Sequence, residues 1–188
     1  MSDLWTPFAL PVRTWFRETF AEPTSPQAAA WPAIQRGENT LILAPTGSGK
    51  TLAAFLWGIN QIGTNLAPPA GAAAGADDKI SRPHLPDGVQ LLYISPLKAL
   101  NNDIERNLRA PLTGIRTVAQ RLGVPWPDIR VAVRTGDTST QARALMVKRP
   151  PSILITTPES LYLLLTSPRA REILRSVRAL IVDEIHTL

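Results

Sequence analysis

The chain of 188 residues, 44% hydrophobic and 19% charged, is long enough to bury the core of one ordinary domain and short for two. It has no cysteine, which excludes a disulfide framework, a thiolate zinc site and a cysteine nucleophile, and its two histidines, His84 and His186, cannot build a metal cluster alone. Charge is uneven: residues 1–94 carry 6 basic and 7 acidic side chains and residues 95–188 carry 14 and 8, so an acidic partner would meet the second half, although charge alone does not separate a nucleic-acid binder from a merely basic protein.

At the N-terminus Asp3 stands where a secretory signal carries basic residues, and no apolar run reaches the roughly 18 to 20 residues of a membrane helix. The expectation is a cytoplasmic protein with no membrane partner. Phe8, Leu10, Val12, Trp15, Phe16 and Phe20 recur at near-helical spacing until Pro23 and Pro26 interrupt, and a second helix is expected over Pro26–Arg36, ended by Gly37. Thr40–Leu43 is a short β-favouring run, followed by a turn of small residues and an apolar helix over Lys50–Ile62. Residues 64–88 are rich in Pro, Gly and Ala without apolar periodicity and read as a flexible surface insertion. Four further buried strands are expected at Val89–Ile94, Ile129–Arg134, Ser152–Thr156 and Ala179–Asp183, separated by stretches long enough for helices. This alternation predicts an α/β fold, a mostly parallel sheet flanked by helices. The five tryptophans are scattered and read as packing residues.

The segment Ala44, Pro45, Thr46, Gly47, Ser48, Gly49, Lys50, Thr51 has what a polyphosphate requires. Small residues let backbone N–H groups converge on an anion at a helix N-terminus. Lys50 is then placed beside the β and γ phosphates, and the Thr51 hydroxyl is available to Mg²⁺. The general P-loop pattern opens with Gly where this chain has Ala44. A nucleotide hydrolase also needs acids at the end of a buried strand, and Ala179–Val182 leads directly into Asp183 and Glu184. Asp183 suits the metal, and Glu184 suits the general base that polarises the attacking water. ATP and Mg²⁺ are the cofactors this pattern implies.

Asp183-Glu184-Ile185-His186 together with the P-loop resembles the DExH signature of superfamily 2 helicases, and the likeness runs from about Phe20 to the last residue. Phe20–Gln27 looks like the Q motif of DEAD-box and related helicases, in which a glutamine reads adenine. A carboxamide can donate to N7 and accept from N6 of that base together, which gives Gln27 a fitting chemistry. Ser95–Asp103, including Pro96 and Lys98, resembles the motif that meets the strand backbone after the second strand. Arg134, Thr135, Gly136, Asp137, Thr138 and Thr157, Pro158, Glu159 resemble the later strand-contacting motifs. Hydroxyls, backbone amides and a few cations suit phosphate contacts that position a strand without reading its sequence. Taken alone, Thr157–Glu159 reads equally as a helix cap and Arg134 as a surface charge.

The combination looks most like the large helicase-related (Lhr) family of DNA repair helicases. That resemblance implies a RecA-like lobe that couples ATP hydrolysis to directional movement on single strands and to unwinding of duplexes, including DNA–RNA hybrids. It also implies that His186 couples the ATP site to the nucleic-acid side, a role an imidazole can fill by donating and accepting. Partners are then single-stranded or partly duplex DNA, RNA or a hybrid, and a second RecA-like domain that supplies an arginine for hydrolysis. The acidic motif ends two residues before Leu188, so the expectation is a first RecA-like domain over 1–188, truncated after that motif and by itself inactive and marginally stable. Three other readings stand beside this one: an RNA helicase or remodelling translocase on the same lobe, a P-loop ATPase of another class, and a noncatalytic binding module.

Overall fold

The computed structural model describes residues 4–65, 88–96 and 98–185, with 98–102 described by backbone alone. Most of the 64–88 insertion, His84 and His186 therefore lie outside the described residues. The chain divides into two compact units, one of residues 1–64 and 111–126, the other of 65–110 and 127–188.

The first unit is helical. It contains α1 (Leu10–Thr19), α2 (Ser25–Gln35), α3 (Lys50–Thr64) and the C-terminal part of α4 (Lys98–Arg121). Phe8, Trp15 and Phe16 of the periodic set form its core with Trp5 and Trp31, whereas Leu10 and Phe20 are exposed. Trp31 is fully buried, with Phe8 5.2 Å from it edge-on and Phe16 5.5 Å away, while Trp5 lies 4.9 Å from Phe16. Edge-to-face geometry of this kind adds to the large apolar area such rings remove from water. The polar indole end is satisfied as well, because Trp31 Nε1 donates to the Ala53 carbonyl at 3.0 Å and so ties α2 to α3. Gly63 and Gly114 are packing positions, since a Cβ at either would strike Trp126 or Trp15 respectively at about 2.1–2.2 Å.

The second unit holds a four-stranded sheet of β1 (Leu91–Ile94), β2 (Val131–Arg134), β3 (Ile153–Thr156) and β4 (Ala179–Val182), in the order β2-β3-β1-β4 and parallel throughout. The four apolar runs named in the sequence are these strands. β1 and β3 are central and buried along their whole length, as expected for strands covered on both faces. Leu92, Ile94 and Leu154 pack on one face with Met146 of α5 (Thr140–Lys148), Leu164 of α6 (Pro158–Thr166) and Ala170 of α7 (Pro168–Glu172). β4 is at the edge, and its Leu180 and Val182 are exposed.

Two sequence expectations fail. β2 and β4, expected as buried strands, lie at the two edges of the sheet and are only partly buried, because an edge strand has a neighbour on one side only. Thr40–Leu43 is not a strand; it has no ladder partner among the described residues, and Leu41 and Leu43 are 68% and 84% exposed. The run lies in the unit that holds none of the four strands, and β propensity yields a strand only where a neighbour offers its backbone.

Candidate functional site

The loop Ala44–Gly49 leads into α3, whose first residue is Lys50. Gly47 and Gly49 take φ of +77° and +85°, a left-handed backbone that glycine adopts without the penalty of a Cβ. The Lys50 ammonium folds back over the loop and donates to the carbonyls of Ala44 and of Pro45, the latter at 2.8 Å. Ser48 likewise turns its hydroxyl onto the Pro45 carbonyl at 2.7 Å. The cation thus has neutral carbonyl partners on its own loop, which a phosphate oxygen, a stronger charge-assisted acceptor, would displace. Small residues, two left-handed glycines, a 15-residue helix N-terminus and this lysine together fit a polyphosphate.

Gln27 is buried and already bonded on both sides of its carboxamide. Its Oε1 accepts from the Thr24 backbone N–H at 3.0 Å, capping α2, and its Nε2 donates to the Gly49 carbonyl at 3.3 Å. The residue expected to read adenine therefore also joins the start of α2 to the phosphate loop. A primary amide keeps a second N–H and further lone pairs for a base.

Thr51 follows Lys50 in α3, while the predicted strand-contacting residues and the two acids belong to the second unit and lie at one edge of its sheet. Arg134, Thr156, Ile94 and Val182 are level across the four strands, so the residues that follow each of them emerge side by side at the C-terminal edge. These are Thr135 and Gly136, Thr157 and Pro158, Ser95 and Pro96, and Asp183 and Glu184. Two bonds continue the ladder past the strand ends: Ser95 N–H donates to Thr156 at 3.1 Å and Asp183 N–H to Ile94 at 2.9 Å. The turn after β2 is closed by Thr138, whose hydroxyl accepts from Thr135 N–H at 2.9 Å. After β3, Thr157 caps α6, its hydroxyl accepting from Ser160 N–H at 3.4 Å, with Pro158 and Glu159 in the first turn. The capping role is real, and it sets Thr157 at the edge. Lys98 opens α4 just beyond β1.

Asp183 is positioned by a residue that the sequence reading missed. The buried Tyr93 hydroxyl of β1 donates to Asp183 Oδ2, while Asp183 Oδ1 accepts from the Glu184 N–H at 3.0 Å. Burial and this bond raise the Tyr93 hydroxyl well above the usual phenol range, so it remains a donor. Glu184 itself has φ of +51°, a left-handed conformation that costs a non-glycine residue of order 1–3 kcal/mol and is retained where the surroundings fix it. Asp183 and Thr51 offer hard oxygen donors of the type Mg²⁺ takes. The P-loop residues and the two acids belong to different units, and His186 lies outside the described residues.

Residues 24–188 match the model of the DEAD/DEAH box helicase family. The chain belongs to that family. It is 55% identical over 181 residues to "Lhr helicase/ probable uracil glycosylase" of Mycolicibacterium smegmatis, covering 96% of this chain and 11% of that protein. It is 48% identical over 178 residues to "ATP-dependent helicase Lhr-Core" of Methanocaldococcus jannaschii, covering 95% of this chain and 20% of that one. Its fold matches the structure of Mycobacterium smegmatis helicase Lhr bound to ssDNA and AMP-PNP with a TM-score of 0.85 and 52% identity, over 100% of this chain and 21% of that one. The chain thus spans about a tenth to a fifth of the length of these Lhr-type relatives. Among the described residues of this DEAD/DEAH box protein, no helix is long and apolar enough to cross a membrane.

Proposed function

We propose that this chain is the ATP-binding lobe of an Lhr-like, ATP-dependent helicase that moves on a nucleic-acid strand and unwinds duplexes. The observation that carries the reading is the level C-terminal edge of the sheet, where three hydroxyl- and amide-rich segments and the Asp183-Glu184 pair emerge side by side. Arg134, Thr135, Gly136, Thr157, Pro158, Glu159, Ser95, Pro96 and Lys98 are the strand-side residues. Their chemistry suits backbone phosphates and sugars more than base edges, so binding is expected to be independent of sequence. Single-stranded or partly duplex DNA is the proposed substrate, with RNA or a DNA–RNA hybrid as the alternative, because such contacts separate the two only through the 2′-hydroxyl.

Lys50 and the amides of Ala44–Gly49 hold the phosphates, Gln27 holds adenine, Thr51 and Asp183 hold the metal, and Glu184 takes the proton of the attacking water. Bound Mg²⁺–ATP supplies the anhydride whose cleavage drives the cycle. Tyr93 keeps the Asp183 carboxylate aimed. Residues 1–188 are the first RecA-like domain, with 64–88 an insertion in it. A second RecA-like domain of the same polypeptide completes the site, His186 couples the ATP side to the strand side, and the protein works in the cytoplasm in DNA repair.

The test uses the full-length protein. Lys50→Ala is expected to abolish nucleotide binding or turnover, and Glu184→Gln to retain ATP and stop hydrolysis, since it preserves shape while losing the base. Wild-type turnover in either variant would remove that residue from the mechanism. Comparing stimulation by DNA and RNA strands of one sequence assigns the substrate.

A further inference from the structure

The edge of the sheet opposite the proposed site has a charge pattern of its own. Val131, Ile153, Leu91 and Ala179 are level at the N-terminal ends of the four strands. The segments leading into them are residues 127–130, 148–152, 88–90 and 171–178, and bonds tie these together along that edge. The Arg130 carbonyl accepts from the Ser152 N–H at 2.9 Å, the Arg178 N–H donates to the Gln90 carbonyl at 2.9 Å, and the Val89 N–H donates to the Ile173 carbonyl at 2.8 Å. Every exposed residue of these segments is charged. Six are cations, Arg130, Lys148, Arg149, Arg171, Arg175 and Arg178, against two carboxylates, Asp128 and Glu172, the latter paired with Arg175 at 3.0 Å. Just beyond the C-terminal ends of the strands the balance is reversed, since Asp137, Glu159, Asp183 and Glu184 outnumber Lys98. The cationic surplus of residues 95–188 thus lies away from the edge given to the strand, and the entering segments hold much of it.

Helix ends account for part of this pattern. Lys148 and Arg171 stand in the last turns of α5 and α7, where a cation offsets the helix dipole. Arg130 and Arg178 come directly before strands, and a sheet has only a small dipole to offset. A protein partner fits the composition poorly, because protein interfaces have an apolar centre depleted of charge, and these segments expose no apolar residue. A polyanion fits it well. With strands about 4.8 Å apart, Arg130 before β2 and Arg178 before β4 stand on the order of 14 Å apart, across the full width of the sheet. Five of the six cations are arginines, whose planar forks match phosphate oxygens.

We infer that the N-terminal edge of the sheet is a second nucleic-acid surface, which engages backbone phosphates of a stretch beyond the one held at the C-terminal edge. The inference rests on the nucleic-acid reading for the class of its ligand and on none of the residues assigned there.

The experiment measures affinity of the full-length protein, across a salt series, for two fluorescent single-stranded oligonucleotides, one on the order of 10 nucleotides, enough for one site, and one on the order of 50. Wild type is compared with the triple variant Lys148→Gln, Arg149→Gln, Arg178→Gln, and with a control triple of exposed cations outside these segments, Arg36→Gln, Arg106→Gln, Arg121→Gln. At about 0.7 per phosphate contact, the first triple should shallow the slope of log affinity against log salt for the long strand by about 2 and weaken its binding about tenfold at moderate salt. Affinity for the short strand, and stimulation of ATP hydrolysis by it, should stay at the wild-type level, and the melting temperature should hold because all three side chains are exposed. The control triple should change neither strand's binding. Arg178→Gln alone should shift the long-strand slope by about 0.7, which keeps the test open if the triple variant melts early. Unchanged long-strand affinity and slope overturn the second surface. So does an equal loss in the control triple, which would reduce the effect to net charge, or an equal loss on both strands, which would place these cations with the first site. Loss of binding to polyglutamate with both strands bound normally would assign the edge to an acidic protein segment instead. A wild type that binds neither strand defeats both readings, whereas one that binds only the long strand, through these cations, defeats the C-terminal-edge reading and supports this one.

Discussion

At the residue scale, the site depends on how single polar groups are restrained. Asp183 has no freedom to turn away, because Tyr93 donates to one of its oxygens and the Glu184 amide to the other. Tyr93→Phe deletes the first bond and leaves that oxygen without its donor. It should cost about 1 kcal/mol of stability and raise the metal concentration needed for half-maximal ATP hydrolysis, with nucleotide contacts at the P-loop intact. An unchanged metal requirement would show that Tyr93 only packs. The raised hydroxyl also sets a pH limit. A phenol whose folded value lies above its unfolded value of about 10 contributes stability that is complete below pH 10 and is lost as the pH rises further. In a tyrosinate difference titration of wild type against Tyr93→Phe, the Tyr93 signal should emerge only with alkaline unfolding. A step near pH 10 in the folded protein would contradict the buried donor.

At the scale of elements, α2 and the phosphate loop meet through one side chain. Gly49 has φ of +85°, and a Cβ there would sit 2.6 Å from Gln27 Nε2. Gly49→Ala should therefore strain the loop by about 1–2 kcal/mol and push Gln27 off both its partners, so that affinity falls for ATP more than for a pyrimidine nucleoside triphosphate, which has no adenine for Gln27 to read. Equal losses for both would separate Gln27 from base recognition. The legibility of the elements in the sequence follows the same physics. The four strands of the sheet stood out because each is a continuous apolar run between polar stretches, and the strand-end segments followed from them. Thr40–Leu43 has the same local composition without a partner strand, and pairing is not a local property. Thr157 presented two readings, cap and edge residue, and it is a cap standing on the edge. Tyr93 carried a faint signal, a phenol within a buried aliphatic strand that needs a partner for its hydroxyl. Arg143 carried none, since its bonds to the Thr135 and Gly136 carbonyls depend on α5 passing back over the turn after β2.

At the scale of the whole molecule, the chain belongs to the DEAD/DEAH box helicase family and spans about a tenth to a fifth of its Lhr-type relatives. The residues proposed to hold the phosphates and the two acids reside in separate compact units, each with its own core: an aromatic cluster among helices in one, an aliphatic face of a parallel sheet in the other. A motor requires nucleotide state and strand grip to be linked, and linkage is reciprocal: if ATP changes strand affinity, the strand changes ATP affinity by the same factor. The sheet edge offers a physical route, because Asp183 and the strand-side segments leave neighbouring parallel strands at one level. The most direct test is the ATP hydrolysis rate of the full-length protein with and without a single-stranded oligonucleotide, the Glu184→Gln variant serving as the blank. Strong stimulation by the strand, absent in that variant, is the predicted result. Turnover at the same rate without any strand would contradict a strand-driven motor and point to a P-loop ATPase of another class.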